Sequence, residues 1–366
     1  MAPIWSFQPF KGILTTLVLI FSPLYFSALT IYYIPKGLRP HPNWSWHTSL
    51  GCAFYFLMFR YATAVRMAPS YALKAGWLKE RCVLAKPASS DKYTGVLEHP
   101  SIKPVPFGAI WFPNAPTAED IETRKFVLHL PGGAYVIASP PSTTGVFPSS
   151  VFSKKINAIT FYAQYRVAAS PDTRFPAAVQ DAVTFYAYLL DLGIPAKNII
   201  VSGDSAGGNL VIALLRYIEA NKCLPKPCGA ISWSPWVNVT TSAILAYKRS
   251  ASNATDLVPW QILEWGLESY PPPSTEWPSS EVYAYVSPAQ HPFSTDTPLL
   301  VQAGSAEVLL QDIRTFAKDM AGIEGNRVKY YETPHAPHDL ILCGKILGMV
   351  KETEDVVEAA KNFFSI

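Results

Sequence analysis

A serine set among small residues, Gly203-Asp204-Ser205-Ala206-Gly207-Gly208, stands between the apolar run NIIVS and the helical pattern NLVIALLRYIEA. A serine at a tight strand-to-helix turn is held out at a sheet edge, and glycines two before and two after it let the backbone pass without Cβ clashes. The start of the following helix adds a dipole that favours developing negative charge. These features describe a nucleophile elbow with Ser205 as the nucleophile of acyl transfer; a purely structural turn is the plain alternative.

A serine hydroxyl needs a base to take its proton and an acid to orient that base. Beyond Ser205 the histidines are His291, His335 and His338. His291 falls in a Pro-rich stretch, whereas His335 and His338 both follow the run VKYYE, and position alone does not choose between them. The acid is expected after PLLVQAG, where Glu307 lies in the loop and Asp312 enters the next helix, so position favours Glu307. An oxyanion also needs N–H donors. The segment His129-Leu130-Pro131-Gly132-Gly133-Ala134-Tyr135 offers them: the backbone of Gly133 and Ala134, together with Ala206, is expected to form the oxyanion hole, with Gly132 shaping its turn.

These residues need a frame. Short apolar runs at 108–112, 125–130, 158–164, 198–202, 229–232, 298–303 and 328–331 read as strands, several of them apolar throughout, as strands buried on both faces must be. Helical periodicity fills 176–190, 209–220, 312–321 and 356–364. Strand and helix in alternation predict an α/β fold, a mostly parallel sheet with helices on both faces. The Trp-, Pro- and Ser-rich stretch 235–298 is too long for an ordinary connection and reads as an excursion covering the sheet, with a helix at 258–269.

On these motifs the chain resembles the hormone-sensitive-lipase-like group of α/β-hydrolases. PGGAYV, YRVAASPDTRFPAAVQDAVTFYAYLL and NIIVSGDSAGGNL are similar to that group's His-Gly-Gly-Gly, Tyr-Arg to Phe-Pro-Ala, and Gly-Asp-Ser-Ala-Gly-Gly stretches, over about residues 105–365. The group's carboxyl-terminal E-x-P-G-M-x-H-G-F falls on 332–340 with His338 in the place of the base, so the resemblance implies His338 rather than His335. Its Asp-Pro-Leu-x-Asp motif falls on 307–311, which implies Glu307 as the acid. Pro131 replaces the group's motif histidine and Ala134 its third glycine, so the oxyanion loop is expected to be shaped differently while keeping backbone donors.

Composition narrows the function. Hydrophobic residues make up 49% and charged residues 16%, which excludes wholesale disorder. Lys and Arg number 30 against 27 Asp and Glu, scattered along the chain, so nucleic acid is not an expected partner. Five cysteines exclude a disulfide scaffold or dense zinc cluster, and neither metal nor cofactor is expected. Cys223 and Cys228 are close enough in sequence for a loop-closing disulfide, with two free thiols the simpler expectation.

Residues 13–34 hold 16 apolar residues among 22 with no charge, long enough to cross a lipid bilayer, which is therefore an expected partner; a cleaved signal peptide is the rival. A shorter run at 50–59 would lie in the membrane interface, cover the site, or form a core helix. Sequons at Asn43, Asn238 and Asn253 tilt the body toward a lumenal face, so a single-pass protein of the endoplasmic reticulum is expected. The division this predicts is an anchor at 1–36, a helical cap region at 37–104, and a catalytic domain at 105–366 with a cap insertion near 236–297. An anchored esterase body is similar in architecture to the membrane-bound steryl acetyl hydrolases within the group. The expected reaction is hydrolysis of short acyl esters of hydrophobic alcohols such as sterols or terpenoids; an acyltransferase and an inactive ligand-binding receptor are the alternatives.

Overall fold

The computed structural model describes residues 2–71, 74–273 and 280–366. Among them an eight-stranded sheet runs in the order β1-β2-β4-β3-β5-β6-β7-β8. Its strands are β1 Cys82–Ala85, β2 Phe107–Phe112, β3 Lys125–Leu130, β4 Ala158–Ala163, β5 Ile199–Asp204, β6 Gly229–Trp233, β7 Leu299–Gly304 and β8 Val328–Thr333. β1 and β2, and β2 and β4, pair antiparallel; all later pairs are parallel. The chain therefore has the mostly parallel α/β architecture that the alternating pattern predicts, and it agrees with the α/β-hydrolase fold that the resemblance implies.

Period-two alternation explains why the parallel strands are apolar almost throughout. Phe126, Leu128, Leu130, Ile199 and Val201 enter one core cluster, while Val127 and Ile200 between them enter a second on the opposite face. In chain order the helices are α1 Phe10–Tyr32, α2 Trp46–Ala64, α3 Ala118–Thr123, α4 Pro141–Thr144, α5 Val146–Ile156, α6 Ala177–Asp191, α7 Ala206–Asn221, α8 Thr241–Arg249, α9 Trp260–Ser269, α10 Ser280–Val286, α11 Leu310–Ala321, α12 Leu340–Leu347 and α13 Val350–Phe364. Helices α5 and α13 cover the second face through Val151, Phe152, Val356 and Val357. Helices α6, α7 and α11 cover the first.

The seven predicted strands are present, and β1 is an addition. It lies in the segment 37–104 and pairs Val83 with Ala109 of β2, so a division at 104 passes between two paired strands. The excursion between β6 and β7 carries α8, α9 and α10.

The two amino-terminal helices form an antiparallel pair. Near one end Thr15 Oγ1 and Tyr61 OH are 2.9 Å apart, and near the other Trp46 Nε1 donates to the Thr30 carbonyl at 2.9 Å. Helix α1 is one charge-free stretch after Lys11 with mean hydropathy 1.8 over 18 residues, and none of its residues is buried. It is long and apolar enough to cross a membrane. Helix α2 outruns the apolar stretch 50–59 at both ends, started by Ser45, whose side chain accepts from Thr48 N–H. Its other face joins the body: Thr48 Oγ1 donates to the Leu347 carbonyl at 2.9 Å, and Gly51 lies so close to α12 that a Cβ there would sit 3.0 Å from the Ile346 oxygen.

Candidate active site

The elbow is built by glycine. A Cβ on Gly203 would lie 2.4 Å from the Gly207 oxygen, and one on Gly207 only 1.9 Å from the Leu130 oxygen, so the turn closes against the end of β3 only with both side chains absent. Between them Ser205 adopts φ 54° and ψ −116°, a region that costs a non-glycine residue about 1–3 kcal/mol. Three backbone bonds hold it there: Ser205 N–H to the Trp233 carbonyl at 2.8 Å, and Trp236 and Asn209 N–H to the Ser205 carbonyl, each at 3.0 Å.

The loop after β3 turns back under the serine. Gly133, Ala134 and Tyr135 have φ of 128°, 50° and 59°, and the Gly133 carbonyl accepts from Val136 and Ile137 N–H, each at 2.9 Å. A Cβ on Gly133 would meet the Ile137 oxygen at 2.2 Å, so this position requires glycine, whereas Ala134 tolerates its left-handed backbone. Gly132 contributes no free donor, because its N–H is bound to Asp204 Oδ2 at 2.7 Å; its place in the oxyanion hole is that of the turn. Among the described residues the N–H groups of Gly133, Ala134 and Ala206 have no partner within the protein.

The other two predicted side chains meet directly. Glu307 follows β7 and His338 follows β8, and His338 Nδ1 lies 2.6 Å from Glu307 Oε2, with both residues buried. The second carboxylate oxygen, Oε1, accepts from Gly304 N–H at 2.7 Å and Ser234 Oγ at 3.1 Å. Burial alone would lower the His338 pKa, but the Glu307 hydrogen bond and charge, with the charges of Asp256 and Asp204, raise it above its ordinary value. Ser205, His338, Gly132, Gly133 and Ala134 line one cavity of about 30 Å³, closed by Phe59 of α2, Val258, and Ile262 and Leu263 of α9. This has room for one or two waters or an acyl methyl, and the side chains that close it over Ser205 and His338 are apolar.

The alternatives lie elsewhere. His335 is exposed and faces the segment before α2: Asn43 Nδ2 is 3.1 Å from its Nε2, and Trp44 Nε1 donates to its carbonyl at 2.6 Å. Asp312 accepts from Asn238 Nδ2 at 3.2 Å and from the Tyr247 hydroxyl. His291 stands beside Tyr283, with its carbonyl accepting from Arg216.

A layer of polar residues beneath the site was not read from the sequence. Asp204 Oδ1 is 3.0 Å from His129 Nε2, whose Nδ1 lies 3.2 Å from Ser202 Oγ. Burial, then the charge of Asp204 and a hydrogen bond to it, holds the Asp339 carboxyl well above the usual carboxylate range. Asp256 reaches the same centre from the excursion. The only signal for these residues was their adjacency to motif positions, as with Asp204 and Asp339. All five cysteines are free thiols, and among the described residues there is no cluster of three or more metal-ligating side chains.

Residues 127–342 match a family model described as alpha/beta hydrolase fold. The chain is similar to an acetyl-hydrolase of Streptomyces hygroscopicus, 32% identical over 215 residues that cover 58% of this chain and 67% of that protein. It is also similar to steryl acetyl hydrolase 1 of Saccharomyces cerevisiae, 28% identical over 129 residues, 34% of this chain and 30% of the yeast protein. The crystal structure of an esterase from the bacterial hormone-sensitive lipase family superposes with a TM-score of 0.62 at 22% identity, covering 87% of this chain and 99% of that one. The chain spans from about half to two thirds of the length of the bacterial acetyl-hydrolase and esterase relatives it matches.

Proposed function

We propose, from the premise that this chain belongs to the alpha/beta hydrolase fold family, that it is a serine carboxylic ester hydrolase acting on short acyl esters of hydrophobic alcohols. The observation that carries this reading is the buried Glu307–His338 pair at 2.6 Å beside a cavity that His338 shares with Ser205. With Glu307 holding Nδ1–H, the free Nε2 of His338 takes the proton of Ser205 Oγ as that oxygen attacks the ester carbonyl. The tetrahedral oxyanion is met by the N–H groups of Gly133, Ala134 and Ala206. His338 then returns its proton to the leaving alcohol, and water, activated by the same imidazole, releases the acid from Ser205.

The substrate class follows from the walls. A cavity of about 30 Å³ suits an acetyl-sized acyl group, and the apolar side chains from α2 and α9 suit an apolar alcohol. The names of two relatives, an acetyl-hydrolase and a steryl acetyl hydrolase, support the same reading. Sterols and terpenoid alcohols concentrate in lipid, and α1 gives the enzyme a place beside it: a single membrane-embedded helix, paired with the α2 that forms one wall of the site.

Lumenal placement in the endoplasmic reticulum rests on the sequons, which are unequal. Asn43 is exposed and its Nδ2 meets only the exposed His335 ring, whereas Asn238 and Asn253 are half-buried, Asn238 Nδ2 donating to Asp312 and Asn253 Nδ2 to the Tyr247 carbonyl at 2.7 Å. A glycan is therefore proposed at Asn43 alone. A panel of p-nitrophenyl esters from acetate to palmitate, on detergent-solubilised protein with Ser205→Ala as control, tests the activity. Turnover should be greatest at the short end, and its absence at every length removes the proposal.

A further inference from the structure

Asp256 lies in the cap excursion, two residues before the first of the cap side chains that wall the cavity, yet its carboxylate is buried at the base of the site. Its Oδ1 accepts from His338 N–H at 3.2 Å, Leu257 N–H at 2.7 Å and Val258 N–H at 3.4 Å. Its Oδ2 accepts from Val308 N–H at 2.6 Å. Val308 adjoins Glu307, so one carboxylate grips the backbone of both loops whose side chains form the Glu307–His338 pair. A second strap runs alongside, from Thr255 Oγ1 to the Ala306 carbonyl at 2.9 Å. Among the described residues Asp256 has no Lys or Arg partner, so its charge is met by N–H groups and by the imidazole nearby.

We infer that Asp256 is a positioning residue of the site: a buried carboxylate that fixes the acid loop to the base loop and ties both to the cap segment leading into α9. The inference rests on the ester-hydrolase reading for its chemical meaning, while the geometry is independent of it. A buried, unpaired carboxylate is costly, and four N–H donors offset that cost only where all three segments sit together. The cap lining at Val258, Ile262 and Leu263 is thereby coupled to the alignment of His338 with Glu307.

Three titratable groups face Asp256: Glu307 from the loop after β7, His338 from the loop after β8, and Cys52 from α2. Burial pushes the Asp256 carboxyl up to about 6; His338 opposes that rise and Glu307 adds to it. Conversely, the Asp256 charge helps hold the His338 imidazolium above its ordinary range. Removing that charge must therefore lower the His338 pKa, a direction that simple loosening of the fold would not give.

Asp256→Asn tests this, because its amide keeps the shape but loses the charge and presents N–H to an N–H donor. In the full chain, kcat for p-nitrophenyl acetate should fall at least about tenfold with KM changed less than about threefold. The His338 ring resonances and the acid limb of kcat/KM should both titrate at lower pH than in the wild type. A folded variant with kcat within about twofold and an unmoved His338 titration overturns the inference. The two readings fail separately: a wild-type chain inert on all esters removes the hydrolase reading, and the His338 titration still decides Asp256. Should Asp256→Asn not fold, Asp256→Ser, smaller and still able to accept one N–H, is read in the same way: a lower kcat with a lower His338 titration is expected, and an unmoved His338 titration overturns the inference.

Discussion

His338 Nδ1 lies 2.6 Å from Glu307 Oε2, and the two residues, 31 positions apart in the chain, are both buried. The contact exists because adjacent parallel strands, β7 and β8, end side by side and deliver their loops to one point. The loops are packed so tightly that a Cβ on Gly304 would sit 2.3 Å from the Ala336 oxygen. The carboxylate is tied at both oxygens, so the imidazole it holds has one orientation and one free nitrogen.

Of the two histidines after β8, only His338 should matter for turnover. Ser205→Ala and His338→Ala are expected to lower kcat by about 10³-fold or more with the fold intact, and His335→Ala to keep most activity. Initial rates on p-nitrophenyl acetate, with circular dichroism as the folding control, check this. The reverse ranking of the histidines would assign the base to His335.

Glu307→Gln keeps the shape and removes the charge that stabilises the imidazolium, so turnover should drop by about 10²–10⁴-fold. Asp312→Asn breaks only the contacts with Asn238 and Tyr247 and should cost little. Equal losses in both variants would dissociate the role of the acid from Glu307.

The acid limb of kcat/KM should report His338 with a pKa above the ordinary imidazole value, since the Glu307 and Asp256 charges outweigh burial. Activity is then present above that pKa, where Nε2 is free to accept a proton, and is lost as pH falls through it. Glu307→Gln residual activity should lose its acid limb at lower pH than the wild type. An upward shift would contradict the electrostatic account.

Gly207→Ala places a Cβ 1.9 Å from the Leu130 oxygen, a backbone atom that cannot swing aside. The expected loss is about 2–3 kcal/mol or more, together with activity, because relief requires moving Ser205. Chemical denaturation would show it, and a variant of wild-type stability would mean that the elbow packs differently.

Much of this was legible because strands buried on both faces declare themselves: the runs VLHL of β3, IIVS of β5 and LLVQ of β7 are apolar almost throughout, and the elbow follows one of them. β1 was not, since four residues with a half-exposed pattern at a sheet edge carry almost no signal. Asp256 and His129 were illegible for another reason. Their partners lie 82 and 75 positions away, His338 and Asp204, and a polar residue becomes a positioning residue only when the fold brings such a partner to it. Helix α2 read as three things at once because its run of apolar residues serves two faces, one toward α1 and one toward α12 and the site.

The measurement closest to the central claim is mass spectrometry of the intact and digested protein after reaction with a fluorophosphonate, alongside p-nitrophenyl acetate turnover. A single adduct on Ser205, formed at the rate at which turnover is lost and absent in Ser205→Ala, is the expected result. Turnover that survives complete labelling, or persists in Ser205→Ala, would contradict the account.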